Sequence, residues 1–170
     1  VNNNYHMKIL GVIPARAGSK GVRKKNIRLL NGLPLIAYSI KSALDSKYIT
    51  DLIVSTESKE IADIANSYGC KVPFLRPKNL AEDNSPSVEV VLHALEEMEL
   101  QNKYQYDAVI LLQPTTPFRS CNLIDQCIRK FDSNKIDSVV TVNDVGAVHP
   151  YRMYSINEKN LLEPCFKDVK

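Results

Sequence analysis

The chain has 170 residues, 44% of them hydrophobic and 24% charged, with a net charge of +3. That length suits one folded domain with a real core, and the composition excludes a disordered chain. The charge is too small for a dedicated DNA-binding domain, and no run approaches the ~18 apolar residues of a membrane span. Four cysteines, Cys70, Cys121, Cys127 and Cys165, form no C-x-x-C pair and have no companion histidine at metal spacing. They read as reduced thiols packed as small apolar groups, which points to the cytoplasm and to no metal site of their own.

Residues 1–6 are polar and patternless and predict no element. Residues 8–13 predict a first, buried strand. Pro34 opens a helix whose Ile36, Ile40, Ala43 and Leu44 share one face. Residues 52–54 predict a second strand, and Thr56 caps a helix carrying Ile61, Ile64, Ala65 and Tyr68 in register. Gly69 ends that helix, and residues 72–75 predict a third strand. Ser85 and Pro86 read as N-cap and first residue of a helix with Val88, Val91, Leu92, Leu95 and Met98 at the 3.6 period. Residues 108–112 are apolar without alternation, which predicts a strand buried on both faces. A helix through Leu123, Ile124, Cys127, Ile128 and Phe131 follows, then a fifth strand at 138–142. Alternating strands and helices of this kind predict an α/β fold, a parallel sheet with helices on both sides. After Pro150 the pattern changes: residues 151–156 alternate and 157–160 are turn-like, the start of a β-hairpin or arm.

The most informative stretch is the loop after the first strand. Residues 14–26 hold Gly18, Gly21 and the five cations Arg16, Lys20, Arg23, Lys24 and Lys25, and no acidic residue precedes Asp45. Glycines let backbone N–H groups approach an anion, and Lys and Arg neutralise it, so the loop reads as a phosphate site. A solvated face and a nucleic-acid surface are the alternatives. The first normally mixes in Glu and Asp, and the second interleaves stacking aromatics, of which none lies between Met7 and Leu35. The spacing is not that of a Walker A loop.

Parallel sheets bind ligands beyond the carboxyl ends of their strands. Besides the cationic loop, two segments fall there: 76–87, with Arg76, Ser85 and Ser87, and 113–119, with Gln113, Thr115, Thr116 and Arg119. Gln113 both donates and accepts, which suits a ribose hydroxyl or a base edge, and Pro114 and Pro117 stiffen its loop. Each feature alone has a bland reading, a plain turn or a surface ion pair. Together at three strand ends they suit a nucleoside triphosphate.

These motifs carry a resemblance. Pro14-Ala15-Arg16-Ala17-Gly18-Ser19-Lys20-Gly21, Lys25-Asn26, Leu75-Arg76-Pro77 and Leu111-Leu112-Gln113-Pro114-Thr115-Thr116-Pro117-Phe118-Arg119 resemble the acylneuraminate cytidylyltransferase family, the CMP-sialic acid synthetases. Ile53-Val54-Ser55-Thr56 and Leu80-Ala81-Glu82-Asp83 match it too, and the resemblance runs from Lys8 to about Pro164. It implies a Rossmann-like nucleotidyltransferase sandwich of three layers with a mainly parallel sheet and a dimerisation arm. It also implies an enzyme that joins CTP to the anomeric hydroxyl of a nine-carbon 2-keto sugar acid, giving a CMP-sugar and pyrophosphate, with Mg²⁺ as cofactor. By position, Arg16 and Lys25 are implied as catalytic, stabilising the triphosphate and the charge developing at the α-phosphorus. Ala15, Ser19 and Lys20 belong to the same nucleotide-binding loop, Asn26, Arg76, Ser85 and Ser87 surround the cytosine, and Gln113 approaches the ribose or the sugar. The expected partners are CTP, the sugar acid and a second copy of the chain in a cytoplasmic homodimer, with neither nucleic acid nor membrane.

The departures are as definite. The family's arginine-containing sugar segment, its Asn-Gly-Ala strand and its closely spaced, Mg²⁺-holding Asp pair are not found, and the late carboxylates Glu158, Glu163 and Asp168 lack the pattern. The expectation is a nucleotide-binding core at 1–148, then an incomplete dimerisation arm at 149–170, from a longer protein. Alternative readings are the same transfer to legionaminic acid, pseudaminic acid or Kdo, another nucleotide, and a non-catalytic nucleotide-binding module.

Overall fold

The computed structural model describes residues 7–19, 21–133, 136–142, 154–159 and 161–164. Two compact units divide the chain, 1–138 and 139–170.

The first unit is built on three parallel strands: β1 (Ile9–Pro14), then, past the two-residue strands β2 (Leu29–Leu30) and β3 (Leu33–Pro34), β4 (Asp51–Ser55) and β5 (Ala108–Leu111). Their order is β4-β1-β5, with Val12 opposite Ile53 on one side and Leu111 on the other. The central position of β1 explains its unbroken apolar run. Ile9 and Ile13 pack on one face with Ile36 and Ile40 of α1 (Leu35–Leu44), Ile61 and Ala65 of α2 (Lys59–Ser67), and Ile124 and Ile128 of α4 (Cys121–Ser133). Leu10 and Val12 point the other way, with Ile53, onto Ala94 and Met98 of α3 (Ser87–Asn102). Side chains that alternate across a strand must all be apolar when both faces are covered. The expected parallel α/β sheet with helices on both faces is present.

Several local expectations are corrected. Ser58, not Thr56, caps α2, accepting from the Ile61 N–H; Thr56 is fully buried and accepts from the Ser58 N–H instead. The predicted third strand at 72–75 is reduced to single parallel pairings of Lys71 with Ile53 and Leu75 with Thr56. Pro73 between them has no N–H to give a ladder. Helix α3 begins at Ser87, one residue past Pro86, and its preceding residue makes no side-chain cap. Strand β5 is half-buried rather than buried on both faces, with Leu111 exposed, because among the described residues it pairs on one side only. Residues 138–142 form no strand: Val140 and Val142 are exposed, and apolar β-formers without a neighbouring strand gain nothing from extension. One hairpin was legible and unread. Asn31 (φ 48°) and Gly32 (φ 81°) make the left-handed two-residue turn between β2 and β3, the strongest short hairpin signal a sequence carries.

The second unit contains the hairpin β6 (Tyr154–Ile156) and β7 (Leu162–Pro164), antiparallel in three pairs and turned at Asn157, whose side chain accepts from the N–H groups of Lys159 and Leu161. The expected hairpin is thus present, while residues 151–153 of it lie outside the described residues.

Candidate functional site

One cavity of about 310 Å³ lies beyond the carboxyl ends of β1 and β5 and is lined also by Arg76, which follows the residue paired with Thr56 just past β4. From β1 the chain passes through Ala15, fully buried, whose N–H donates to the Ser55 carbonyl at 2.9 Å and so keeps the two strands together one residue further. Arg16 and Ser19 then line the cavity. The loop returns through a short 3₁₀ turn, Lys25–Ile27, entered by Lys24 in the left-handed region (φ 52°). Asn26, buried there, donates from Nδ2 to the Arg16 carbonyl at 2.9 Å. That bond staples the two ends of the cationic loop together and brings Lys25 to the wall beside Arg16.

Arg76 arrives from the segment paired with β4, its N–H donating to the Thr56 carbonyl at 2.8 Å. Its side chain is 3% exposed and its Nη2 donates to Glu57 Oε2 at 3.3 Å. Burial pulls the Arg76 pKa below the usual arginine range, Glu57 pulls it back up, and nearby Arg16 adds to the lowering. Glu57 also accepts the Ala17 N–H through Oε1 at 2.7 Å. From β5 comes Gln113, whose carbonyl accepts from Arg119 Nη2 at 3.2 Å while Thr115 Oγ1 donates to its Oε1 at 3.4 Å. Ser85 and Ser87 close the wall near the start of α3, with Ser85 Oγ donating to the Asn79 carbonyl and accepting the Glu82 N–H.

Of the residues expected at a site, Arg16, Ser19, Lys25, Asn26, Arg76, Ser85, Ser87 and Gln113 line this cavity. Ala15 is fully buried and not among the lining residues, and Lys20 falls outside the described residues. Sequence reasoning missed the acids. Glu82 and Asp83 line the same cavity, and Asp83 Oδ1 sits 2.6 Å from Arg16 Nη2. Lys24, too, is held by Glu60 at 2.8 Å. The cationic loop is therefore partly compensated, by carboxylates from the loop before α3 and the first turn of α2, and Lys25 keeps no ion pair among the described residues. A signal existed for Glu57, the only acid within three residues of the end of β4.

Among the described residues, no group of three or more His, Cys, Asp and Glu could hold a metal ion. The carboxylates that line the cavity are Glu82 and Asp83, and Asp83 faces the Arg16 guanidinium. Mg²⁺ is commonly held by one or two carboxylates together with substrate phosphates. No helix among the described residues is long and apolar enough to cross a membrane.

A family model described as cytidylyltransferase matches residues 10–159. The chain belongs to the cytidylyltransferase family. It is 42% identical over 167 residues to a CMP-N,N'-diacetyllegionaminic acid synthase of Legionella pneumophila, covering 96% of this chain and 70% of that protein. It is 39% identical over 155 residues to a pseudaminic acid cytidylyltransferase of Campylobacter jejuni, covering 91% of this chain and 66% of that one. The solved CMP:2-keto-3-deoxy-manno-octonic acid synthetase, complexed with CTP, superposes with a TM-score of 0.62 at 20% identity. That match covers 75% of this chain and 48% of the solved one, and speaks to the fold alone. The resemblance to cytidylyltransferases and the expected nucleotidyltransferase sheet are both met.

Proposed function

We propose that the cavity binds CTP and that the chain contributes the triphosphate grip of a cytidylyltransferase acting on a nine-carbon 2-keto sugar acid of the sialic type. The observation that carries this reading is the convergence of Arg16, Lys25 and Arg76 with Asn26 and Gln113 on one cavity at the carboxyl edge of the parallel sheet. Arg16 and Lys25 suit a polyphosphate, while Arg76 and the uncharged Asn26 and Gln113 suit a base or sugar that needs directional hydrogen bonds. The names of the two relatives, one acting on a legionaminic and one on a pseudaminic acid, support the acceptor class.

In the proposed reaction the anomeric hydroxyl oxygen attacks the α-phosphorus of CTP. The bond from that phosphorus to the bridging oxygen breaks, pyrophosphate leaves, and the hydroxyl proton passes to solvent. Arg16 and Lys25 neutralise charge that grows on the phosphoryl oxygens, a role in which positioning and electrostatics supply most of the rate. Ser19 flanks the departing pyrophosphate. Arg76, Asn26, Ser85 and Ser87 enclose the base, and Gln113 meets the ribose or the acceptor.

Titration calorimetry with CTP and Mg²⁺, beside a short oligonucleotide, tests the ligand: saturable CTP binding without oligonucleotide binding is expected, and the reverse overturns the reading. Pyrophosphate release from CTP over a panel of nine-carbon acids then tests the reaction. Binding without release on any acid would leave a nucleotide module in place of an enzyme.

A further inference from the structure

We propose that Glu57 is a positioning residue that couples the two halves of the cavity, setting Arg76 on the base side and the loop after β1 on the phosphate side. The inference deepens the CTP reading and rests on it. Glu57 stands two residues past the end of β4. Its carboxylate divides its oxygens: Oε1 takes the Ala17 N–H at 2.7 Å, and Oε2 takes Arg76 Nη2 at 3.3 Å. The first bond reaches 40 residues back along the chain and the second 19 forward, so one side chain joins two segments far apart in sequence.

Geometry makes this more than a support. A guanidinium is a rigid planar fork, so fixing one of its nitrogens to a carboxylate also constrains where its other donors point. Arg76 is buried, and its Nε has no hydrogen-bond partner among the described residues. Arg76 also lines the cavity, so where its guanidinium faces a ligand there depends on Glu57. On the other side, the Ala17 N–H lies next to Arg16 in the chain, so the same carboxylate sets where the cationic loop leaves the strand. Arg16 and Arg76 repel each other, and Glu57 contacts Arg76 and the segment that carries Arg16. Glu57 is not among the residues that line the cavity, whereas Arg76 is. Glu57 acts through Arg76 and Ala17.

The test compares wild type, Glu57→Gln and Glu57→Asp by calorimetry with CTP, UTP and inorganic tripolyphosphate, with a melting curve for each protein. Glutamine keeps the shape but has one acceptor oxygen, and aspartate keeps the charge one methylene short. Wild type is expected to prefer CTP to UTP. Glu57→Gln is expected to lose about tenfold of that preference and to bind tripolyphosphate about fivefold more weakly, the size of an ordinary coupling between sites. Glu57→Asp is expected to fall between. A purely structural carboxylate would lower the melting temperature and leave the CTP:UTP ratio unchanged, and that result overturns the proposal. Wild type that fails to bind CTP overturns the nucleotide reading and this inference together. Saturable CTP binding with an unchanged ratio strikes the inference alone. Should neither variant fold, hydrogen exchange of the Ala17 amide in wild type decides. Cytidine, which carries no phosphate, is expected to slow it by at least ~3-fold if the halves are coupled, and an unchanged rate overturns the coupling.

Discussion

Arg16 Nη2 and Asp83 Oδ1 lie 2.6 Å apart at the wall of the cavity, joining the loop after β1 to the loop before α3. Their side chains are 31% and 37% exposed, so the pair is screened by solvent and is worth no more than about 1 kcal/mol. A triphosphate, with several charges, competes well for the same guanidinium. Asp83→Asn is therefore expected to tighten tripolyphosphate binding by up to about fivefold, and by less as salt is raised. Calorimetry at two salt concentrations checks this, and unchanged or weaker binding would show that Asp83 does not compete.

Arg16 and Lys25 are the two cavity cations assigned to the developing charge. Replacing either with alanine is expected to lower turnover about 10²–10³-fold, roughly 3–4 kcal/mol of transition-state stabilisation. Both are only partly buried, so the melting temperature should barely move. Steady-state kinetics with CTP and a competent sugar acid provide the check; near-normal turnover would remove that residue from the chemistry.

Gly69 ends α2 with φ at +83°, its N–H bonded to the Asn66 carbonyl and the next N–H, of Cys70, to that of Ala65. This is the two-bond helix ending that needs a left-handed residue. A Cβ there would meet only Leu44 Cδ1 at 3.7 Å, an ordinary contact. The cost of Gly69→Ala is then conformational, about 1 kcal/mol, or a melting point lower by about 2–4 °C. A larger drop would mean that packing, not backbone, is the constraint.

Cys70 is 1% exposed, and burial pushes its thiol from 9.0 up to about 12. The raised value means that the unfolded chain loses this proton first. The stability it supports is intact below pH 9 and falls as pH rises toward 12, by at most about 1.4 kcal/mol per pH unit. Tyr106, raised by burial, and Tyr104, raised by its bond to Asp51, act in the same direction from higher starting values, 10.0 for both. Urea unfolding at pH 8, 9 and 10 is expected to show a decline that Cys70→Ala flattens. An equal slope in both proteins would refute the assignment.

Much of the scaffold was readable. The apolar run of β1 and the periods of α1 and α4 each report whether their own residues face a neighbouring layer, and that is a local property. What failed was local structure whose outcome depends on a partner. Residues 72–75 and 138–142 are good β-formers, yet Pro73 breaks one ladder and 138–142 form no strand among the described residues. Thr56 has the chemistry of a cap, but the strand buries it and Ser58 takes the position.

For the site, the sequence by itself determined the inventory: a strand emptying into a glycine-bearing cationic loop, and Arg76 and Gln113 after later strands. Tertiary structure decided the pairing. A run of cations with no acid before Asp45 looks uncompensated along the chain, but Coulomb interaction depends on distance in space, and folding brings Asp83, Glu60 and Glu57 to it. Only the packing of these loops at one edge of the sheet could show that Arg16 is shared with Asp83, that Lys25 is not paired among the described residues, and that one carboxylate, Glu57, holds both Arg76 and the loop.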